Sequence, residues 1–209
     1  GILHSIVSVG HEHDGEVPTD LELARIVAEL AKYSSGELRN TDIVCDPAAG
    51  SGNLISAAIP TYNLAPTQIL VNDVNNKLLE LLSLRIGLNY ASTISLRNSA
   101  AIYNRNIADI EPVFFNDVRV VVMNPPFSAG INCVARKQPL YRSIRHLTGN
   151  EARTNIGQMP LEAVFLELLI ELVQPGTTIS CVFPKTHLMG RGPESKAIRR
   201  LLLNQFGLH

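Results

Sequence analysis

Asp42-Ile43-Val44-Cys45-Asp46-Pro47-Ala48-Ala49-Gly50-Ser51-Gly52-Asn53-Leu54-Ile55 reads as a strand, a glycine turn and the start of a helix. The apolar run Asp42 to Cys45 stops at Asp46-Pro47. Gly50 and Gly52 permit a tight turn and let a ligand approach the backbone closely. The helix through Leu54 and Ile55 must end by Pro60. A purely structural β-α turn would use the same glycines, so the carboxylate at the strand end is the sharper signal. It can meet a cationic or hydroxylated ligand rather than a pyrophosphate. The absence of a Gly-x-x-x-x-Gly-Lys pattern argues against a nucleoside triphosphate.

Thr19-Asp20-Leu21-Glu22 reads as a helix start, with Thr19 as N-cap and Glu22 three residues on. Leu23, Ile26, Val27 and Leu30 recur at helical spacing until Ser34-Ser35-Gly36. Gln68 to Asn72 reads as a second strand, Asn75 to Leu88 as a leucine-rich helix, and Thr93 to Leu96 as a weaker third strand. Val118 to Met123 is a β-branched run, the signature of a strand covered on both faces. Leu161 to Val173 is a periodic helix stopped by Gln174-Pro175-Gly176, and Thr177 to Phe183 is a fifth strand. Strands alternating with helices predict an α/β fold around a doubly wound, mostly parallel sheet.

The chain has 209 residues, which suits one sizeable domain and not two. Its 45% hydrophobic and 18% charged residues are those of a folded protein with a core. The longest apolar runs are short and broken by Glu, which argues against a membrane span. With no basic-then-apolar leader, a cytoplasmic location is expected. The chain opens on Gly1 rather than Met, as a trimmed or partial chain would. Cys45, Cys133 and Cys181 form neither a disulfide framework nor a metal site by spacing. Cys45 and Cys181 read as reduced, buried residues. His11-Glu12-His13 has no matching cluster elsewhere and reads as a solvated loop, so no metal is expected.

In an open parallel sheet, ligands bind beyond the carboxyl ends of the strands, near the switch in strand order. The second strand ends at Asn72-Asp73, where an acid suits hydrogen bonding to the two hydroxyls of a ribose. The alternative is a helix N-cap, which Asp73 or Asn75 could supply. The most specific signal is Asn124-Pro125-Pro126-Phe127 at the end of the fourth strand. A Pro-Pro pair there prevents ladder or helix from continuing and fixes a rigid, outward-facing turn. An exocyclic aromatic amine is a poor nucleophile because its lone pair is conjugated with the ring. The Asn124 amide oxygen and the Pro125 carbonyl can each accept one N–H of such an amine, freeing the lone pair to attack a methyl group. Phe127 offers a face on which an extruded base could stack. The catalytic work is positioning and hydrogen bonding to developing charge.

Asp46-Pro47-Ala48-Ala49-Gly50-Ser51-Gly52 resembles the cofactor motif of the N6-adenine DNA methyltransferases, and Asn124-Pro125-Pro126-Phe127 resembles their catalytic motif. Gly15 to Asp20 is similar to the family's extra cofactor motif, with Asp20 following Thr19 where the family usually has Pro. Phe165 to Pro184 and Ile198-Arg199-Arg200-Leu201-Leu202 look like the modification subunits of type I restriction systems. The resemblance implies S-adenosylmethionine as cofactor, with Asp46, Ala48, Gly50 and Gly52 along it, Asp73 on its ribose and Thr19 near its carboxylate. It implies that Asn124, Pro125, Pro126 and Phe127 hold the target adenine, rotated out of duplex DNA. Asn98-Ser99 stands where the family often has an acid near the cofactor adenine, and Asn98 can still hydrogen-bond.

The implied fold is the Rossmann-like methyltransferase fold without the family's last two strands. Residues 1–35 read as an N-terminal helical segment with the extra motif, and residues 36–209 as the catalytic core, with a long loop at 128–160. That loop carries Arg136, Lys137, Arg142, Arg145, His146 and Arg153 against the single acid Glu151, and reads either as a solvated loop or as a DNA-facing surface. A net charge of −1 suggests that much of the DNA grip lies in a missing recognition domain or a specificity partner. The expected activity is N6-adenine methylation within a restriction-modification or related defence system. RNA amines and protein glutamine are alternative acceptors, and a non-catalytic module of a defence complex is the reading from another class.

Overall fold

The computed structural model describes residues 3–6, 19–90, 100–127 and 132–205. Six strands form one sheet: β1 (Leu3–Ile6), β2 (Ile43–Asp46), β3 (Ile69–Asn72), β4 (Ala101–Tyr103), β5 (Val118–Met123) and β6 (Thr178–Val182). Their order is β1-β6-β5-β2-β3-β4, and every adjacent pair is parallel. The helices are α1 (Leu21–Ser35), α2 (Asn53–Tyr62), α3 (Asn76–Asn89), α4 (Asn132–Thr148), α5 (Leu161–Leu172), α6 (Lys185–Met189) and α7 (Pro193–Gln205).

Alternation along the strands sorts the core into two layers. Val44, Ile69, Val71, Val120, Val122 and Val182 pack with α1, α2 and α3. Cys45, Leu70, Val121, Met123, Ile179 and Cys181 pack with α4, α5 and α7. Helices thus cover both faces, and the sheet is doubly wound. From β2 the chain runs outward through β3 to β4, then returns to β5 on the other side of β2. The switch therefore lies between β2 and β5, whose carboxyl ends carry Asp46 and Asn124.

Several local expectations are corrected. The N-cap of α1 is Asp20, whose Oδ1 accepts the Glu22 N–H at 2.6 Å, and not Thr19. Thr19 is buried and its carbonyl accepts from the Asn53 side chain instead. Helix α2 does not stop before Pro60 but runs to Tyr62. Within the last turn a proline forgoes one bond only, and Asn63, at φ 54°, closes the end by donating to Ile59 and Pro60. Residues 1–35 are not wholly helical, since β1 pairs with β6 at the sheet edge.

Thr93 to Leu96 lies outside the described residues, and the strand beside β3 is Ala101–Tyr103. The stretch 128–160 is not one loop, because it contains α4. Its buried stripe, Cys133, Lys137, Leu140 and Ile144, has helical spacing, but a lysine sits in it and Pro139 interrupts the polar face. Among the described residues no strand follows β6; α6 and α7 do. No helix among them is long and apolar enough to cross a membrane.

Candidate active site

The turn after β2 is fastened from three sides. Asp73, just past β3, accepts the Gly50 N–H at 2.7 Å through Oδ2 and the Asn75 N–H at 2.8 Å through Oδ1. Buried Asn72 donates to the carbonyls of Pro47 (3.2 Å) and Arg105 (3.0 Å) and accepts the Arg105 N–H at 3.1 Å. Arg85 of α3 reaches the Ser51 carbonyl at 3.1 Å and the Asn53 side-chain oxygen. Asn53 in turn donates to the Thr19 carbonyl at 2.6 Å, so the residue preceding α1 is tied to the glycine turn.

Both glycines of the turn have positive φ, 52° at Gly50 and 83° at Gly52. Their surroundings differ. A Cβ on Gly50 would meet nothing within 4 Å, whereas one on Gly52 would come within 2.9 Å of Leu82. Gly50 leaves its backbone open to a ligand, while Gly52 lets the start of α2 settle against α3.

These residues wall a cavity of about 580 Å³ at the carboxyl end of the sheet, within the range of about 300–1,000 Å³ usual for small-molecule sites. Thr19, Asp46, Ala48, Gly50, Asp73, Asn124, Pro125 and Pro126, all named from the sequence, lie on its wall. Gly52 does not, for the reason just given. Phe127 does not either; its half-buried ring packs on the α1/α2 core layer. After Pro126 the chain turns that ring towards the sheet face, where apolar contact is available. Pro125, Pro126, Leu140, Leu161 and Phe165 contribute apolar surface to the same cavity wall.

Asn98 lies outside the described residues. With the strand at Ala101–Tyr103, the residues that follow it are Asn104-Arg105-Asn106, and Arg105, Asn106 and Ile107 line the cavity. Sequence reasoning also missed Asn53 and Asn72, whose partners are distant in the chain. The signal for Asn72 was a polar residue closing an apolar strand next to an acid.

Asp46 is fully buried. Its Oδ1 accepts the Ala48 N–H at 3.2 Å, and its Oδ2 has no hydrogen-bond partner. Burial pushes its carboxyl well above the ordinary range, and the Asp73 carboxylate adds to this against the Ala48 hydrogen bond. A buried carboxyl oxygen that lacks a donor, on a residue lining a cavity, is suited to a cationic or hydrogen-bonding ligand. Burial likewise raises the neighbouring Cys45 thiol well above its usual value, and Cys45, Cys133 and Cys181 are all buried and unbridged. Among the described residues no cluster of His, Cys, Asp and Glu could hold a metal ion.

The donor set fits a sulfonium nucleoside. Asp46 supplies a site for positive charge, Asp73 retains lone pairs for ribose hydroxyls, and Val74, Leu78 and Ile107 give apolar surface for a base. Two carboxylates at the glycine turn would repel a polyphosphate.

The family model described as N-6 DNA Methylase matches residues 1–209. Among solved structures, the chain is similar to the type IIG restriction endonuclease BpuSI, with 42% identity and a TM-score of 0.88 over 94% of this chain and 23% of that one. It also shares its fold with the type I restriction-modification methyltransferase subunit from Streptococcus thermophilus, at 20% identity and TM-score 0.64, covering 91% of this chain and 39% of that one. The EcoKI M protein is similar at 18% identity and TM-score 0.57, covering 90% and 38%. No curated protein matches the chain. These 209 residues thus span less than half the length of each of these relatives.

Proposed function

The chain belongs to the N-6 DNA methylase family, and from that premise we propose that it transfers a methyl group from S-adenosylmethionine to N6 of adenine in DNA. The observation that carries the proposal is the single cavity wall shared by the acid-lined glycine turn and the Asn124-Pro125-Pro126 corner. When bound, S-adenosylmethionine supplies an electrophilic methyl on a sulfonium. Asp46 would balance positive charge at the methionine end, Asp73 would hold the ribose, and Thr19 would close the side towards the cofactor carboxylate. Asn124 Oδ1 and the Pro125 carbonyl would each accept one N–H of the adenine amine. This draws the nitrogen out of conjugation and orients its lone pair, which is catalysis by positioning and preorganised dipoles. Pro125, Pro126, Leu161 and Phe165 would exclude water from that end. Sequence reading of the DNA falls, in this proposal, to a specificity partner or to a recognition domain beyond these residues, within a restriction-modification system.

The test offers full-length protein labelled cofactor with adenine-containing duplex DNA, RNA and a glutamine peptide in parallel. Label is expected in N6-methyladenine of the DNA. Label confined to RNA or peptide, or to cytosine, would overturn the acceptor. Cofactor binding with no transfer to any acceptor, even with its partner supplied, would instead favour a non-catalytic module.

The buried acid gives a pH signature. A cation at Asp46 favours the carboxylate, so binding must release whatever proton the raised pKa retains. Cofactor affinity should therefore rise with pH above the ordinary carboxylate range. It should level off once Asp46 is ionised in the free protein. Asp46→Asn should weaken binding and flatten this rise. Calorimetry at several pH values checks it, and a rise that survives in the Asn variant would assign the proton elsewhere.

A further inference from the structure

Helix α4 carries Arg136, Lys137, Arg142, Arg145 and His146 and no acid, in a chain of net charge −1. Two of these cations are engaged internally. Lys137 Nζ donates to the Met159 carbonyl at 2.8 Å, and Arg145 pairs with Glu151 at 2.9 Å. Arg136 and Arg142 are exposed, and neither forms an ion pair among the described residues. The helix dipole accounts for basic residues in the last turn, Arg145 and His146. It gives no reason for Arg136, which lies towards the positive end.

Arg136 and Pro139 stand on the wall of the cavity described above. Pro139 also belongs to a second, polar groove of about 290 Å³, whose α4 side is completed by Arg142, Ser143, His146 and Leu147. The groove therefore continues from the cavity past Pro139. Its other wall is Ala108-Asp109-Ile110-Glu111. From Arg136 to His146 is about 15 Å along a helix rising about 1.5 Å per residue. That is the axial length of about four phosphates of one DNA strand.

We infer that the Arg136–Arg142–His146 face of α4 holds the phosphodiester backbone of the strand that delivers its base into the cavity. The inference rests on the DNA reading above and adds the surface that guides the strand. Asp109 and Glu111 would repel a strand lying deep in the groove, so the phosphates follow the α4 side, and the acids mark the edge of the track. Contacts of this kind position without reading sequence, so they suit a core whose recognition element is elsewhere.

The experiment titrates full-length protein with a fluorescent adenine-containing duplex and with single-stranded RNA of the same sequence, across a salt series. Arg136→Ala/Arg142→Ala is expected to reduce the slope of log affinity against log salt by about 2. Arg142→Ala alone should reduce it by about 1 and leave the Kd for S-adenosylmethionine unchanged. Glu111→Gln should tighten DNA binding. An unchanged slope in the double variant, or an altered cofactor Kd in Arg142→Ala, overturns the track. Tighter binding of the RNA, with the same loss of slope, would assign the surface to RNA and overturn the inference as stated. If the wild-type protein methylates protein glutamine and binds neither nucleic acid, the underlying DNA reading fails, and the track with it.

Discussion

Replacing Asn124 with alanine is expected to slow methyl transfer by at least about 10²–10³-fold, the loss typical of removing one preorganised hydrogen-bonding group from a transition state. The Kd for S-adenosylmethionine should stay nearly constant, because in the proposed arrangement Asp46, Gly50 and Asp73, and not Asn124, would hold the cofactor. The hydrogen bond strengthens only as the reaction proceeds. In the ground state the adenine amine is planar, conjugated and uncharged, and its N–H groups are comparatively weak donors. As the nitrogen pyramidalises and acquires positive charge, its N–H groups become stronger donors. An interaction that grows along the reaction lowers kcat when removed, not cofactor affinity. Single-turnover transfer with labelled cofactor, read beside equilibrium binding, separates the two. Equal losses in both would remove Asn124 from the proposed role.

The largest expected effect on stability comes from Glu167, on the buried side of α5. Its carboxylate is 1% exposed and accepts the Arg153 N–H, the Thr154 N–H (each 2.8 Å) and the Thr154 hydroxyl (2.5 Å), with the Arg153 guanidinium at 3.4 Å. Thr154 is fully buried, so its N–H and hydroxyl have no water to turn to, whereas the partly exposed Arg153 keeps Glu171 as a partner. Glu167→Ala would leave those two Thr154 groups unmatched at about 1–3 kcal/mol each, reduced because the segment can shift. A net loss of about 2–5 kcal/mol is expected, carried by the two buried Thr154 donors. Denaturant unfolding measures it, and Thr154→Val in the Glu167→Ala background should cost less than in the wild type. A midpoint that does not move would mean that residues 149–160 find equivalent acceptors. The segment matters for chemistry as well, because it leads into Leu161 on the cavity wall, and Met159 anchors Lys137 of α4.

The strands that flank the site were legible because burial on both faces leaves little choice of residue: Val118–Met123 matches the expected strand, and Ile43–Asp46 differs by one position. The edge strand was not. Ala101-Ile102-Tyr103 is only half buried, and its place is set by pairing with β3, a long-range contact that no local pattern encodes. Helix α4 was hidden by its own contents. A lysine occupies a buried position because the Met159 carbonyl receives its ammonium, and Pro139 sits in the middle. In the candidate site, the motif residues near the two strand ends could be named, since backbone geometry there demands glycine, proline and short polar side chains. What they hold on to could not. Asn53 and Asn72 look like ordinary turn residues until the fold brings Thr19, Arg85 and Arg105 beside them.

The hydrogen bond from Asn53 to the Thr19 carbonyl clips one wall of the cavity to the glycine turn by a side-chain amide. An occupant that binds better with Thr19 held in this position favours the clipped arrangement. By thermodynamic reciprocity the clip strengthens the hold on that occupant by an equal factor. Seating of Thr19 and retention of a small molecule that touches it are then two readings of a single equilibrium.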